Sequence, residues 1–243
     1  MSMPGAQMRI CVVGAGGAIG RRLLPLLLAN GHEVIATTYS AENVERLRGL
    51  GAEAFPLDLL DRQATIDLVV AAKAAVVVHE ATALAGASFR NMRRFDREFE
   101  TTNRLRTVGT DNLLAAAQAA EANRLIAQSY TSWPYARVGA RVKSEEDALD
   151  PHPPNAMRKT FAALNYLEQA VLTAEGIDGI VLRYGTLYGA GTSLTTGEDA
   201  LGFWSAFPPH SKSGGGFRKS AASRRSCAII KVPSEPVSSN CRG

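Results

Sequence analysis

At 243 residues, 46% of them hydrophobic and 21% charged, the chain can bury one large α/β core, and no apolar run approaches the ~20 residues of a membrane span. The first ten residues, MSMPGAQMRI, lack a secretory apolar stretch, and Cys11, Cys227 and Cys241 are too scattered for a disulfide framework or a metal site, so a cytoplasmic protein without metal is expected. The net charge of +4 originates in residues 192–243, with seven Lys or Arg against three acidic residues; residues 1–191 carry twenty of each and offer no electrostatic reason for binding nucleic acid.

The first organised stretch is Val12 to Gly20, VVGAGGAIG. An apolar strand, Arg9 to Val13, precedes it, and a helical pattern of Ile19, Leu23, Leu24, Leu27 and Leu28 follows. Gly14, Gly17 and Gly20 are therefore spaced where a buried strand turns into a helix. The first glycine permits the tight turn, the second lets backbone approach a pyrophosphate, and the third lets helix pack on strand. The helix start at Gly17, Ala18, Ile19 and Gly20 then offers free N–H groups and a positive dipole end to the phosphates. Pro25 falls inside this helix, where it kinks the helix or costs it a hydrogen bond, and Gly31 is a C-terminal cap.

A second strand is expected over Glu33 to Thr38, a helix capped by Ser40 over AENVERLRGLG, and a third strand around Ala52 to Leu57. Asp61 to Lys73 reads as helix and Ala75 to His79 as a fourth strand, apolar enough to be buried on both faces. Asn91 to Ala122 is helical in character and leads into a fifth strand, Arg124 to Gln128. A polar loop from Tyr130 to Pro154 follows, then a helix with Asn155 as its cap, ending near Glu175, and a sixth strand, Gly179 to Arg183. This alternation predicts a doubly wound parallel sheet of Rossmann type over 1–191. Residues 192–243 show no sustained period and are expected to be a poorly ordered basic tail, with Cys227 to Val232 able to add an edge strand.

Five stretches, GAGGAIG at 14–20, LDLLD at 57–61, VVVHEATA at 76–83, GTDNLLAAA at 109–117 and LRYGTLYGAG at 182–191, occur in the order of one family. With them the chain resembles the short-chain dehydrogenase/reductase superfamily, in its extended branch of NAD-dependent epimerases and dehydratases. The resemblance implies NAD or NADP as cofactor, a small-molecule substrate, and a homodimer through the 91–122 and 155–175 helices. It implies that Asp58, with Leu59 beside it, contacts the adenine, and that Ala81, Thr82 and Ala83 form the small-residue turn that admits the cofactor ribose. Gly185 and Tyr188-Gly189 resemble the turn at the nicotinamide end, although proline is common where Tyr184 stands. A site selecting NAD carries an Asp or Glu at the end of the second strand. Here that position reads Thr37-Thr38-Tyr39-Ser40, and Arg21, Arg22 or Thr38 can meet a 2′-phosphate, which leans the expectation toward NADP.

The departures concern the chemistry. In the family a YxxxK pair supplies the proton, because the lysine cation stabilises a phenolate whose pKa is otherwise about 10. No tyrosine here has lysine four positions on. Aligned through Glu168, Thr160 takes the tyrosine position and Leu164 the lysine position, while Arg106 stands where asparagine is usual and Asn103 lies one helical turn earlier. The serine or threonine that holds the substrate oxygen aligns with Tyr130, between Ser129 and Thr131. Two readings follow. In one, the protein transfers hydride with Tyr130 or Thr131, or else Tyr135 or Lys159, as substitute proton donor or anchor; Tyr130 is preferred because ligands bind at the C-terminal ends of such strands. In the other, the cofactor is bound without turnover and the domain is a sensor or scaffold. A hydrolase is disfavoured, since there is no GxSxG elbow and His32, His79, His152 and His210 offer no evident base. The family-like text stops near Gly197, so the substrate part is expected to be incomplete, through a shifted frame or truncation.

Overall fold

Strands Arg9–Val13 (β1), Glu33–Thr38 (β2), Glu53–Pro56 (β3), Val76–His79 (β4), Arg124–Tyr130 (β5) and Asp178–Tyr184 (β6) pair in parallel in a computed structural model of the chain. Their order is β3-β2-β1-β4-β5-β6. The structure describes residues 7–84, 92–130, 135–136, 138, 143–144, 146–189, 192 and 229–231. The winding reverses between β1 and β4, whose register pairs Val13 with His79, and such a switch point leaves a crevice at the C-terminal strand ends.

Side chains alternate across the sheet with a period of two, and each face builds its own core. Val12, Val34, Ala36 and Val78 pack with Leu24 of helix Gly20–Ala29 (α1) and with Val44 and Leu47 of helix Ala41–Arg48 (α2). On the other face, Cys11, Val13, Ile35, Val77 and Leu125 meet Val69 of helix Arg62–Ala72 (α3). Leu113 of helix Thr110–Ala119 (α6) and Leu167 and Val171 of helix Arg158–Leu172 (α7) complete that layer. Leu24, Leu47, Leu113 and Leu167 are almost wholly buried, each contributing about 1.5–3 kcal/mol. Burial also pushes the Cys11 thiol up to about 12, so it is an inert core group.

Several helix ends differ from the sequence expectation, for local reasons. Asp61 caps α3 by accepting from the Ala64 N–H at 3.0 Å, and Lys73 closes that helix in the left-handed region at φ 47°. Ser40 precedes α2 but its side chain makes no cap bond. Asn155 does not cap α7: it opens a short 3-10 turn, Asn155–Met157. The cap comes instead from a distant carboxylate, as Asp96 accepts the Lys159 and Thr160 N–H groups at 2.9 Å each. The 91–122 region is not one helix either. Within it, Phe95–Glu98 (α4) and Glu100–Arg104 (α5) lead into a wide π turn at Leu105–Gly109, which passes into α6.

After β6, strand Thr186–Tyr188 (β7) pairs in parallel with Ile229–Lys231 (β8), inside the apolar piece of the basic tail. The rest of that tail, Thr192 apart, lies outside the described residues. Among the described residues no helix is long and apolar enough to cross a membrane.

Candidate active site

The glycine turn is held against the end of β4. Gly14 sits at φ 85°, and a Cβ built there would lie 2.4 Å from the Ala81 nitrogen and 2.6 Å from the Glu80 carbonyl carbon. Only glycine lets these two strand ends approach so closely. Gly20 is equally constrained, its Cβ position 2.5 Å from Ala15 Cα, so helix α1 presses directly onto the turn. Gly17 differs: only the Gly14 carbonyl lies near its Cβ position, at 3.2 Å, and the backbone there faces open space. Ile19 precedes α1 with no side-chain cap, and the first turn carries no acidic residue. The dipole end is therefore not neutralised from within, which is the donor chemistry a pyrophosphate needs.

The residues expected around the rest of a dinucleotide have mixed settings. Thr38 is buried and its Oγ1 lies 2.7 Å from the Cβ position of Gly16, so it packs beneath the turn. The end of β2 carries no carboxylate, and the neighbouring Tyr39 is 81% exposed. Burial lowers the pKa of Arg21, and the nearby Arg46 and Arg22 guanidiniums lower it further, so three cations share this corner. Asp58 is exposed and accepts from the Leu60 N–H at 2.9 Å. Leu59 is buried and its carbonyl accepts from Asn112 at 2.9 Å. Ala81 donates to His79 Nδ1 at 3.3 Å, and Ala83 to Thr102 Oγ1 at 3.1 Å, with Thr82 between them half-buried.

At the other end of the crevice the side chains at the family's tyrosine and lysine positions are both buried. Thr160 donates its hydroxyl to Asp96 at 2.8 Å and accepts from Asn103 Nδ2 at 3.0 Å. Leu164 packs with Phe95, Phe99, Met157 and Phe161. This turn of α7 is thus a capped helix start over an apolar plug. Tyr130 closes β5 and lies half-buried against the same cluster, while Thr131 lies outside the described residues. Of the other substitutes, the Tyr135 hydroxyl accepts from Arg183 Nη1 at 3.0 Å, and Lys159 is exposed. Ser129 donates to Glu168 at 2.5 Å and is buried.

Three ionisable groups, His79 and Glu80 at the end of β4 and Arg106 on the π turn, are buried. Arg106, on the π turn, is 4% exposed, lies 5.9 Å from the centre of the Phe99 ring, and has a buried Nη1 without a hydrogen-bond partner. Burial pulls its pKa down to about 10, with the Tyr130 hydroxyl opposing that shift. His79 is fully enclosed, its Nε2 3.3 Å from the Leu105 carbonyl, and burial brings it down to about 4 despite that contact. It is neutral at ordinary pH. Glu80, next along, accepts from the Tyr184 hydroxyl at 2.9 Å. The unexpected carboxylate in VVVHEATA was the available signal, since a charge right after an apolar strand needs a reason.

Comparison with known proteins agrees with this geometry. A family model described as NAD dependent epimerase/dehydratase family matches residues 10–207. A 3-diazoavenalumate denitrifying reductase from a Streptomyces species is 41% identical over 191 residues, 76% of this chain and 58% of the relative. A 2-alkyl-3-oxoalkanoate reductase of Stenotrophomonas maltophilia is 30% identical over 193 residues, 76% of this chain and 52% of the relative. The chain therefore spans somewhat over half the length of the curated relatives it matches. Among solved structures, the Thermus thermophilus UDP-glucose 4-epimerase complex with NAD aligns at a TM-score of 0.62 and 24% identity, covering 80% of this chain and 60% of that one.

Proposed function

The chain belongs to the NAD dependent epimerase/dehydratase family, and from that premise we propose that it is an NADP-preferring reductase of a small carbonyl or diazo compound. The observation that carries the reading is the glycine turn, seated on the backbone of Ala81 beside an uncapped helix start. Gly14, Gly17, Ala18, Ile19 and Gly20 would hold the pyrophosphate, Asp58 and Leu59 the adenine end, and Ala81, Thr82 and Ala83 the ribose. The absence of a carboxylate at the end of β2, before Glu42, together with Arg21, Arg22 and Arg46, supports a 2′-phosphate over a free hydroxyl. Bound there, the cofactor supplies a hydride. Tyr130 anchors the substrate atom that receives negative charge, and the Arg106 guanidinium near it favours that charge; Thr131 is the second anchor. The reductase direction draws on the relatives' names, and the substrate is a small molecule.

The second reading is cofactor binding without turnover. It is favoured by Thr160 and Leu164, whose buried, apolar or internally bonded settings leave no proton donor at the family's usual place.

Calorimetric titration with NAD, NADH, NADP and NADPH tests the first reading. The intact chain should bind NADPH most tightly, Gly17→Asp should abolish binding without unfolding the protein, and Arg46→Ala should weaken NADPH about tenfold, about 1.4 kcal/mol, while sparing NADH. A folded chain that binds none of the four overturns the proposal. Binding without oxidation of NADPH by a panel of aryl ketones and aryl diazo compounds selects the second reading.

A further inference from the structure

Glu80 and Tyr184 form a contact that the dinucleotide reading leaves unused. They come from the C-terminal ends of β4 and β6, so the tyrosine reaches across β5, a span of about two strand spacings of ~4.8 Å. By alternation from Val78 and Leu182 they lie on the sheet face away from α7, where Leu182 is 39% exposed. The Tyr184 hydroxyl donates to Glu80 Oε1 at 2.9 Å. Oε2 of the same carboxyl is buried and has no hydrogen-bond partner, in a residue only 6% exposed. No lysine or arginine among the described residues forms an ion pair with it. A carboxylate left like this is costly, whereas a neutral carboxyl, or a carboxylate facing a cationic ligand, is not.

The pair lies between the glycine turn and the end of β6, where Gly185 and Tyr188-Gly189 resemble the turn at the nicotinamide end. Glu80 donates its backbone N–H to the Val13 carbonyl at 2.8 Å, and its carbonyl carbon touches the Cβ position of Gly14, so it borders the glycine turn directly. A nicotinamide changes its formal charge by one unit when hydride leaves it, being neutral when reduced and cationic when oxidised. We propose that Glu80 is the proton-exchanging group of this crevice, protonated when reduced cofactor is bound and ionised when oxidised cofactor is bound, with Tyr184 relaying the proton. The inference rests on the cofactor reading above.

The exchange balances simply. On reprotonation, Tyr184 passes its hydroxyl proton to Glu80 Oε1 and its oxygen takes one from water; on ionisation the sequence reverses. During reduction the relay runs in reverse with substrate in place of water: Glu80 returns its proton to the Tyr184 oxygen as Tyr184 gives its own to the substrate atom that receives the negative charge, and the carboxylate left behind would balance the positive charge of an oxidised nicotinamide. The titratable groups on surrounding elements are Tyr184 on β6, Tyr130 at the end of β5, His79 on its own strand, and Arg106 beyond His79; the end of β1 and residues 14–18 contribute none. Burial raises the Glu80 carboxyl to about 7, with the Tyr184 bond opposing that rise, so the group can take either form near neutrality.

The test needs no substrate. Calorimetry of the full chain in buffers of different ionisation enthalpy counts protons taken up or released as NADP and NADPH bind. The 2′-phosphate contributes equally to both and cancels in the difference. The intact chain should show a difference of up to about one proton near pH 7, and the ratio of the two dissociation constants should change by up to about tenfold per pH unit there. Glu80→Gln should abolish the difference. Tyr184→Phe, which removes the bond that favours the ionised form, should move it to higher pH. Equal proton counts for the two cofactors in the intact chain, or a difference that survives Glu80→Gln, overturn the inference while cofactor binding stands. Failure to bind either cofactor removes the site on which both proposals rest.

Discussion

Replacing Arg183 by Met would test how the end of β5 is held in place. The Glu168 carboxylate, 7% exposed, accepts from Arg183 Nε at 3.0 Å, from Nη2 at 2.6 Å and from Ser129 Oγ at 2.5 Å. Arg183 also stacks on the Tyr135 ring at 5.2 Å. This bidentate pair joins α7 to β6, and through Ser129 to the residue before Tyr130. Arg183→Met leaves the carboxylate with one hydroxyl in a nearly closed site, where losing the partner of a buried ion costs about 3–5 kcal/mol. Glu168→Leu leaves a guanidinium that is 19% exposed and still donates to Tyr135, so its cost should be smaller, about 2 kcal/mol. The double variant removes both desolvation penalties and should return to within about 1 kcal/mol of the native chain. Urea unfolding at pH 7, followed by circular dichroism across the four members of the cycle, measures these differences. An Arg183→Met cost below about 1 kcal/mol, or a double variant as unstable as the two singles combined, would refute the argument.

Two further variants probe the scaffold. Gly179→Ala would place its methyl 1.9 Å from the Val171 carbonyl oxygen, and because both sides are backbone the strain should exceed about 3 kcal/mol; a thermal midpoint unchanged from the native chain would show that β6 and α7 can separate freely. Asp96→Ala removes the cap of α7 and the acceptor of the Thr160 hydroxyl, a loss of about 1–2 kcal/mol in urea unfolding. Asp96→Asn should recover part of that loss, and equal costs for the two substitutions would mean the carboxylate is not acting as a cap.

The sheet was legible because its signals are local. Five of the six strands are apolar runs between turn residues, and Gly14 announces a positive φ by its position after one of them. What sequence reading missed depends on partners far along the chain. Asn155 has the right residue type for a cap, but Asp96, 63 residues before Lys159 in sequence, takes the role through the packing of α4 on α7. Glu168 served only as an alignment landmark, yet it is an anchor for Arg183 and Ser129. The settings of the residues named in place of the missing tyrosine and lysine depend on distant partners in the same way. Residue type marked Tyr135 as one candidate proton donor or anchor, and only the fold reveals that its hydroxyl accepts from Arg183. Arg106 looks like a single departure in the sequence and Glu80 draws no notice there; the meaning of both comes from burial, which no pattern of period two or 3.6 records.

The π turn at Leu105–Gly109 bears on how this helix can be compared with others. A π turn takes up one extra residue without breaking the helix, so counting straight through it offsets the numbering on one side by about 100° of rotation. That offset of one residue does not carry Asn103, whose amide reaches α7, into the place of Arg106 three positions on. The turn therefore sets the faces presented by α5 and α6 about 100° out of the phase of one continuous α-helix.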